Sequence, residues 1–168
     1  IKAGIDSGIN FFDTAIGYQN GTSEQYVGRA IKDFADREDM VIATKFLPRT
    51  EDEIKNNVSG QEHIKKMVDA SLNNLNLEYI DLYIYHMWDY NTPLYDILEG
   101  LNELVDEGMV RYIGISNCFA WQLAKANAME EELSRYFKAK GEEMTYRTTS
   151  QGMLLDVLHH VDKNNVAL

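Results

Sequence analysis

Four polar side chains interrupt or follow the most apolar segments of this sequence, where parallel α/β proteins place their binding residues. They are Asp13, Tyr18, Lys45 and His86. An ammonium beside a phenol stabilises the phenolate, so Lys45 would make the Tyr18 hydroxyl a usable general acid. Asp13 would keep the lysine charged, and His86 would hydrogen-bond the substrate oxygen and orient it. Together they predict a site that protonates an oxyanion, which suits the reduction of a carbonyl.

Carbonyl reduction also needs a hydride donor, and no side chain supplies hydride. The site therefore requires a nicotinamide or flavin cofactor. Taken singly, each residue has a simpler interpretation: a strand-end Asp is often a turn former, and His86 alone is more often a core histidine. A buried Lys45, however, needs a counter-charge, and Asp13 on the neighbouring strand is placed to provide it. The prediction therefore depends on the combination of residues.

Four apolar segments rich in β-branched and aromatic residues predict the strands that would position this site. They are Ile9–Ala15, Met40–Phe46, Ile80–Trp88 and Arg111–Asn117. Their apolar residues are nearly continuous, which is typical of strands covered on both faces of a parallel sheet. Because such strands end at one edge, we expect Ser116 and Asn117 to lie on the same rim as the other four residues.

Segments with helical periodicity separate the predicted strands. Cap and first-turn signals occur at Thr22 with Gln25, at Ser59 with Glu62, and at Thr92 with Pro93. The third helix is expected to end at Gly108, and the opening residues 1–8 are typical of a last helical turn that ends at glycine. Strands that alternate with helices at a spacing of about 30 to 40 residues indicate βαβ units, and hence either a doubly wound sheet or a (β/α)8 barrel.

The barrel is favoured because no GxGxxG motif follows the first strand. A polar fifth strand is expected at 144–151, a helix at 153–161 and the start of a sixth strand at 166–168. The predicted fold class is α/β, a parallel (β/α)8 TIM barrel. Because complete barrels need roughly 200 residues or more, this barrel is expected to be incomplete, with about six βα units. Residues 1–168 are expected to form one partial domain whose part 129–168 is divergent.

Composition narrows the function classes. The 168 residues carry 16 Lys and Arg against 27 Asp and Glu, a net charge of -11, which disfavours nucleic acid and anionic membranes as partners. The single Cys118 cannot form an internal disulfide, and no apolar run is long enough to cross a bilayer. We therefore expect a cytoplasmic protein. No metal is expected, because the spacing of the four histidines does not fit a metal site. They are His63, which falls on the polar part of a predicted helix, and His86, His159 and His160.

The residues of the site belong to segments that resemble the signatures of the aldo-keto reductase family. These segments are GINFFDTA at 8–15 with Tyr18, GTSE at 21–24, IATK at 42–45, YIDLYIYH at 79–86 and VRYIGISN at 110–117. They occur in the family's order and at its approximate spacing. The segment 86–93 looks like the bacterial and fungal branch that acts on aldehydes and small ketones.

The resemblance implies an NADP(H)-dependent barrel that reduces an aldehyde or ketone, with the same four residues as its catalytic tetrad. Ser116 and Asn117 would hold the nicotinamide carboxamide, and Gln151 would match the cofactor-binding glutamine that the family places at the end of the next strand. Trp88 and Asp89 are expected either to line the substrate pocket or to have a structural role. The family's first strand, and the loops after its seventh and eighth strands, have no counterpart in this sequence.

In the family, the loops after the seventh and eighth strands carry the groups that bind the cofactor's pyrophosphate and 2′-phosphate. The resemblance therefore leads us to expect a fragment or truncated relative with impaired activity unless it is completed, and open barrel edges that favour an oligomer. A second interpretation stays open, namely a non-catalytic segment of this fold that acts as a binding or regulatory module. The intact catalytic tetrad favours the enzyme. The lack of counterparts for the phosphate-binding loops favours the non-catalytic module.

Overall fold

The computed structural model describes the backbone of residues 1–139 and the side chains of residues 1–129. Strands and helices alternate along this part of the chain. The elements are α1 (Lys2–Asp6), β1 (Phe11–Asp13), α2 (Thr22–Phe34), β2 (Val41–Phe46), α3 (Glu51–Lys55), α4 (Gly60–Leu75), β3 (Ile80–Tyr85), α5 (Leu94–Asp106), β4 (Val110–Ile115) and α6 (Ala120–Ala139). A short 3-10 helix, Arg37–Asp39, precedes β2.

The four strands form one parallel sheet in the order β1-β2-β3-β4. This confirms the predicted parallel α/β architecture with crossover helices, as in part of a (β/α)8 barrel. Strand β1 is shorter than the predicted segment Ile9–Ala15, but its pairing with β2 extends further. The Asn10 carbonyl accepts from the Val41 N–H, and the Ile16 N–H donates to the Lys45 carbonyl.

Residues from both β2 and β3 form the centre of the core. All six residues of β2 are buried, and its last residue, Phe46, stacks on two tyrosines of β3. The ring centroids are 4.8 Å apart for Tyr83 and 5.0 Å apart for Tyr85. Helices α2 and α4 approach closely because residue 28 is glycine: a Cβ there would lie 1.9 Å from the Leu75 carbonyl oxygen.

The helix starts were predicted with mixed success. Ser59 and Glu62 form the expected capping box at α4. The prediction for Thr22 was wrong, because Gly21, with φ 81°, occupies the cap position and makes Thr22 the first helical residue of α2. The cap predicted at Thr92 was also wrong: α5 has Pro93 as its N-cap residue and no side-chain cap.

Other sequence predictions are corrected or lie outside the described residues. His63 is not on a polar helix face: it is 2% exposed, and its Nε2 lies 2.7 Å from the Leu47 carbonyl oxygen. The strand predicted at 144–151 with Gln151, the helix predicted at 153–161 and the start of a strand predicted at 166–168 lie beyond the residues that the structure describes. Helix α3 was not predicted at all, although Thr50 and Glu53 form a full capping box there.

Within residues 1–139, no helix combines the length and apolar character needed to cross a membrane. Among residues 1–129, whose side chains the structure describes, no cluster of three or more His, Cys, Asp or Glu side chains is arranged to hold a metal ion.

Candidate active site

Lys45 and Asp13 meet at the carboxyl ends of β2 and β1. The lysine ammonium lies 2.7 and 2.8 Å from the two carboxylate oxygens of Asp13, and 2.8 Å from the Thr14 carbonyl oxygen. Lys45 is 7% exposed, whereas the Asp13 side chain is half-exposed. Three acceptors match the three N–H donors of an ammonium. Lys45 therefore acts on any further neighbour through its electric field and not through a hydrogen bond.

Tyr18 lies beside this ion pair, in the loop between β1 and α2. The Lys45 ammonium is 5.1 Å from the centre of the Tyr18 ring. The Tyr18 ring also contacts the His86 ring edge to face, with centroids 5.7 Å apart and planes at 75°. Tyr18 is 42% exposed, so the phenol lies against a cation and an imidazole on one side and is open to solvent on the other.

Hydrogen bonds hold both ends of the loop that carries Tyr18. The hydroxyls of Thr14 and Ser23 are 2.7 Å apart, and the Tyr18 N–H donates to the Ala15 carbonyl. Glu24, in the first turn of α2, is fully buried and accepts hydrogen bonds from the side chains of Thr44 and Asn74 at 2.6 and 2.8 Å. These contacts join the loop to β2 and α4. The sequence analysis missed this role of Glu24, although a carboxylate in a first helical turn was the available signal.

His86 follows β3 directly, and three hydrogen bonds fix its backbone. Its N–H donates to the Phe46 carbonyl, and its carbonyl accepts from the Ser116 hydroxyl at 2.6 Å and from the Asn117 amide at 2.7 Å. Ser116 lies beside His86 because Ile115 is in register with Tyr85 in the sheet. The structure therefore brings the predicted pair Ser116 and Asn117 to the same rim as the tetrad candidates.

The imidazole of His86 is set up to be neutral. Burial lowers its pKa from the usual 6.5, and the nearby Lys45 charge lowers it further, against an opposing effect of Asp13. Its Nδ1 is buried, with no hydrogen-bond partner among the described residues. A neutral ring can offer one N–H to an external oxygen, so the group suits hydrogen bonding to a carbonyl better than ion pairing.

Asp89, three residues after His86, is bound on all sides by the protein. Its carboxylate accepts from the N–H groups of Asn91 and Thr92 at 2.6 and 2.7 Å, from the Thr92 hydroxyl at 3.0 Å and from the Tyr85 hydroxyl. Burial would raise its pKa, but these hydrogen bonds, that of Tyr85 above all, hold it below the usual value. The pKa of Tyr85 is raised by burial and by the contact with Asp89, which keeps its hydroxyl a donor.

Arg49 links the Asp89 loop to the loop after β2. Its Nε donates to the Thr92 hydroxyl at 2.9 Å, and its two terminal nitrogens donate to the carbonyls of Val58 and Asn91 at 2.6 and 2.8 Å. This role of Arg49 was not predicted, because its partners lie up to 43 residues away in the sequence. Trp88, which precedes Asp89, contacts Trp121 of α6 with ring centroids 6.2 Å apart.

The fold and the site together define a class of protein. Parallel strands that alternate with helices place an ion-paired lysine, a phenol and an imidazole at one carboxyl edge, which is where enzymes of the (β/α)8 barrel type bind their substrates. The chain matches the aldo/keto reductase family over residues 1–168, and it belongs to that family.

Relatives of known name are consistent with this membership. The chain is 42% identical to norsolorinic acid reductase B of Dothistroma septosporum over 126 residues, which are 71% of this chain and 32% of that protein. It is 34% identical to an NADP(+) aryl-alcohol dehydrogenase of Phanerodontia chrysosporium over 139 residues, 76% of this chain and 35% of the other. The chain thus spans about a third of the length of these curated relatives.

Solved structures show the same fold. An aldo-keto reductase from Klebsiella pneumoniae in complex with NADPH superposes with a TM-score of 0.65 at 26% identity, covering 98% of this chain and 52% of that one. A thermostable aldo-keto reductase bound to the inhibitor epalrestat gives a TM-score of 0.68 at 27% identity, covering 99% and 56%.

Proposed function

We propose that this chain forms the catalytic part of an NADP(H)-dependent reductase that converts an aldehyde or a ketone to an alcohol. The observation that carries the proposal is the placement of the Tyr18 ring between the Lys45 ammonium, 5.1 Å away, and the His86 ring, 5.7 Å away. A phenol in that position lies next to a positive charge, which stabilises the negative charge that develops on the phenol oxygen during proton transfer, and next to a second hydrogen-bonding group.

In the proposed reaction Tyr18 donates its proton to the carbonyl oxygen as negative charge develops there. Lys45 stabilises the phenolate that remains, acting through its field because its three N–H groups are bound to Asp13 and Thr14. Neutral His86 donates a hydrogen bond to the same oxygen and orients the substrate. Asp13 accepts two hydrogen bonds from the ammonium and holds it in place. When bound, NADPH would supply the hydride that the carbonyl carbon needs.

Ser116 and Asn117 fit the nicotinamide end of that cofactor. Each uses its side chain to bind the His86 carbonyl, and each has hydrogen-bonding capacity beyond that bond: an amide has a second N–H and an oxygen, and a hydroxyl has lone pairs. This donor set matches a carboxamide. The complexes of related structures with NADPH support the choice of cofactor, and we propose Gln151 as a third contact on the basis of family resemblance.

Substrate class and cellular context remain part of the proposal. A small-molecule carbonyl compound is the expected substrate, and the relatives named for an aryl alcohol and for norsolorinic acid make an aromatic carbonyl compound the first choice for an assay. We also propose a cytoplasmic location, and oligomers formed through open edges of the barrel.

The test is a product balance. The protein, NADPH at saturating concentration and an aromatic aldehyde are incubated, and the alcohol formed and the NADPH consumed are both quantified. We expect one alcohol for each NADPH. NADPH binding without any alcohol would contradict the proposal and would favour the non-catalytic binding module instead.

A further inference from the structure

The loop between β3 and α5 is fixed by a polar network outside the tetrad. We define the loop network as Tyr85, Asp89, Thr92 and Arg49. We infer that the loop network is a positioning device, which together with the contact to Trp121 holds Trp88, two residues after His86, in place for contact with substrate. The inference concerns the structure of the loop, and only its catalytic consequence rests on the proposed function.

Asp89 has no capacity left for a ligand. A carboxylate offers about four lone-pair positions, and four protein donors occupy them: the N–H groups of Asn91 and Thr92 and the hydroxyls of Thr92 and Tyr85. Asp89 therefore does not bind substrate. Of the two neighbours that the sequence suggested for the pocket, Asp89 has the structural role, and Trp88, which is partly exposed, is available to a substrate.

The loop network joins three separate parts of the fold. Tyr85 lies in β3, is 3% exposed, and stacks on Phe46 of β2, so its hydroxyl is a fixed point. Thr92, 8% exposed, donates to Asp89 and accepts from Arg49. Arg49 lies in the segment after β2. A loop held from two neighbouring strands has little freedom to move the residues within it.

Contacts outside the loop network hold His86, so a change in the network can affect Trp88 without moving His86. Its N–H bonds to the Phe46 carbonyl, and its own carbonyl is bound by Ser116 and Asn117. None of these contacts involves the loop network. Trp88 also contacts Trp121 of α6, so loss of the network should loosen Trp88 without freeing it completely, while the imidazole stays in place. In kinetic terms the KM for an aromatic carbonyl compound should rise while kcat changes little, because substrate binding suffers and proton transfer does not.

Packing around Thr92 supports a rigid junction. A Cβ at Gly60, the first residue of α4, would lie 2.9 Å from the Thr92 methyl group and 2.9 Å from the Asp96 Cβ. Thr92 and Asp96 therefore pack closely against the backbone of α4 at Gly60, where a larger residue would clash with them. This contact helps to place Thr92 where its hydroxyl reaches both Asp89 and Arg49.

The chain allows a direct measurement on Trp88. Its 168 residues contain two tryptophans, and one is Trp121, which is 56% exposed. In a Trp121→Phe background Trp88 is the remaining tryptophan of the sequence, and phenylalanine keeps an aromatic ring at the position that contacts Trp88. Time-resolved fluorescence anisotropy then reports the local motion of that side chain, without any need for turnover.

The test compares Asp89→Asn with Asp33→Asn, which makes the same chemical change on the exposed side of α2. For Asp89→Asn we expect a fast local rotation of Trp88 that the parent lacks, with unchanged far-UV circular dichroism, and a KM for an aromatic aldehyde about tenfold higher at nearly constant kcat. Thr92→Val, which removes one hydroxyl at nearly constant shape, should shift both quantities in the same direction even if Asp89→Asn fails to fold.

Unchanged Trp88 anisotropy in both variants would overturn the inference. So would a fall in kcat at constant KM, since that would make Asp89 part of the chemistry. If the parent protein reduces no carbonyl compound, the proposed function fails, but the anisotropy still decides whether the loop network positions Trp88.

Discussion

Lys45 and Asp13 form an ion pair in which the lysine is almost completely buried and the carboxylate is half-exposed. Both oxygens of Asp13 lie within 2.8 Å of the ammonium, and the Thr14 carbonyl takes the remaining donor. The charge of Lys45 is therefore fixed in position 5.1 Å from the Tyr18 ring centre, but its hydrogen bonds point elsewhere. Lys45 is thus a fixed source of positive potential beside the phenol.

Replacing that charge should slow the reaction without unfolding the protein. In Lys45→Met the apolar stem is retained and the ammonium is lost, so the phenolate left by proton transfer has no nearby cation. We expect kcat for aldehyde reduction to fall by about 100-fold or more, the range found when one preorganised electrostatic group is removed. Steady-state kinetics with saturating NADPH provide the measurement.

The matched control for that variant is Lys32→Met, on the exposed side of α2, which should leave kcat unchanged. Asp13→Asn should give a smaller loss than Lys45→Met, because it weakens the placement of the charge without removing it. Equal rates for Lys45→Met and Lys32→Met would show that the buried ammonium has no part in the chemistry.

His86 gives a pH dependence of stability whose sign follows from its environment. Burial first, and then the charge of Lys45, hold its pKa below 6.5 in the folded protein, whereas in the unfolded chain it titrates at about 6.5. As the pH falls through that value, the unfolded chain takes up a proton that the folded chain does not. The contribution of His86 to the free energy of unfolding should therefore decrease toward acid pH, until the folded pKa is passed.

Urea denaturation of the wild type and of His86→Gln, from about pH 7.5 down to about pH 5, isolates this contribution. The stability of the wild type relative to His86→Gln should decrease as the pH is lowered. A difference that stays constant with pH, or that grows toward acid pH, would contradict a lowered pKa.

At the opposite end of the sheet, Asp81 is expected to matter for stability alone. Its side chain is 4% exposed, and it accepts from Arg37 at 2.6 Å, from Arg111 at 3.2 Å and from the Ile42 N–H at 2.9 Å. Removing one partner of a buried pair leaves the other charge uncompensated. Asp81→Asn should lower the free energy of unfolding by about 3 kcal/mol.

Lys2→Ala breaks an exposed ion pair, Lys2 with Asp6, and provides the comparison. It should change the free energy of unfolding by less than about 1 kcal/mol. Denaturant midpoints give both values, and the KM of folded Asp81→Asn should equal that of the wild type. A changed KM in Asp81→Asn would show that the amino-terminal edge of the sheet is coupled to the site.

Much of the fold could be predicted because its signals are local. Continuous apolar runs identified β2 and β3 within a few residues, and the Ser59 capping box identified the start of α4. The order of strands and helices then placed Asp13 and Lys45 on adjacent strands. Strand adjacency predicted the contact between those two residues but not its geometry: the register pairs Asp13 with Ala43, and the Lys45 side chain reaches Asp13 from two residues further along β2.

Other features depend on partners far away in the sequence, which no local pattern reveals. Thr92 has the appearance of a helix cap, but its hydroxyl is used by Arg49, 43 residues earlier. His63 has polar neighbours along its helix but is buried against the Leu47 carbonyl. Glu24 is buried because Thr44 and Asn74 both donate to it. In each case a tertiary hydrogen bond overrides the local preference of the residue.

The central claim is that Tyr18 protonates the substrate oxygen, and Tyr18→Phe tests it most directly. The rate of NADPH oxidation by an aromatic aldehyde is measured under single-turnover conditions, beside NADPH binding and circular dichroism, with Tyr26→Phe as the control because Tyr26 is exposed on α2. We expect a loss of about 100-fold to 10,000-fold for Tyr18→Phe alone, with the fold and the NADPH affinity retained. A Tyr18→Phe rate equal to that of Tyr26→Phe would contradict the claim.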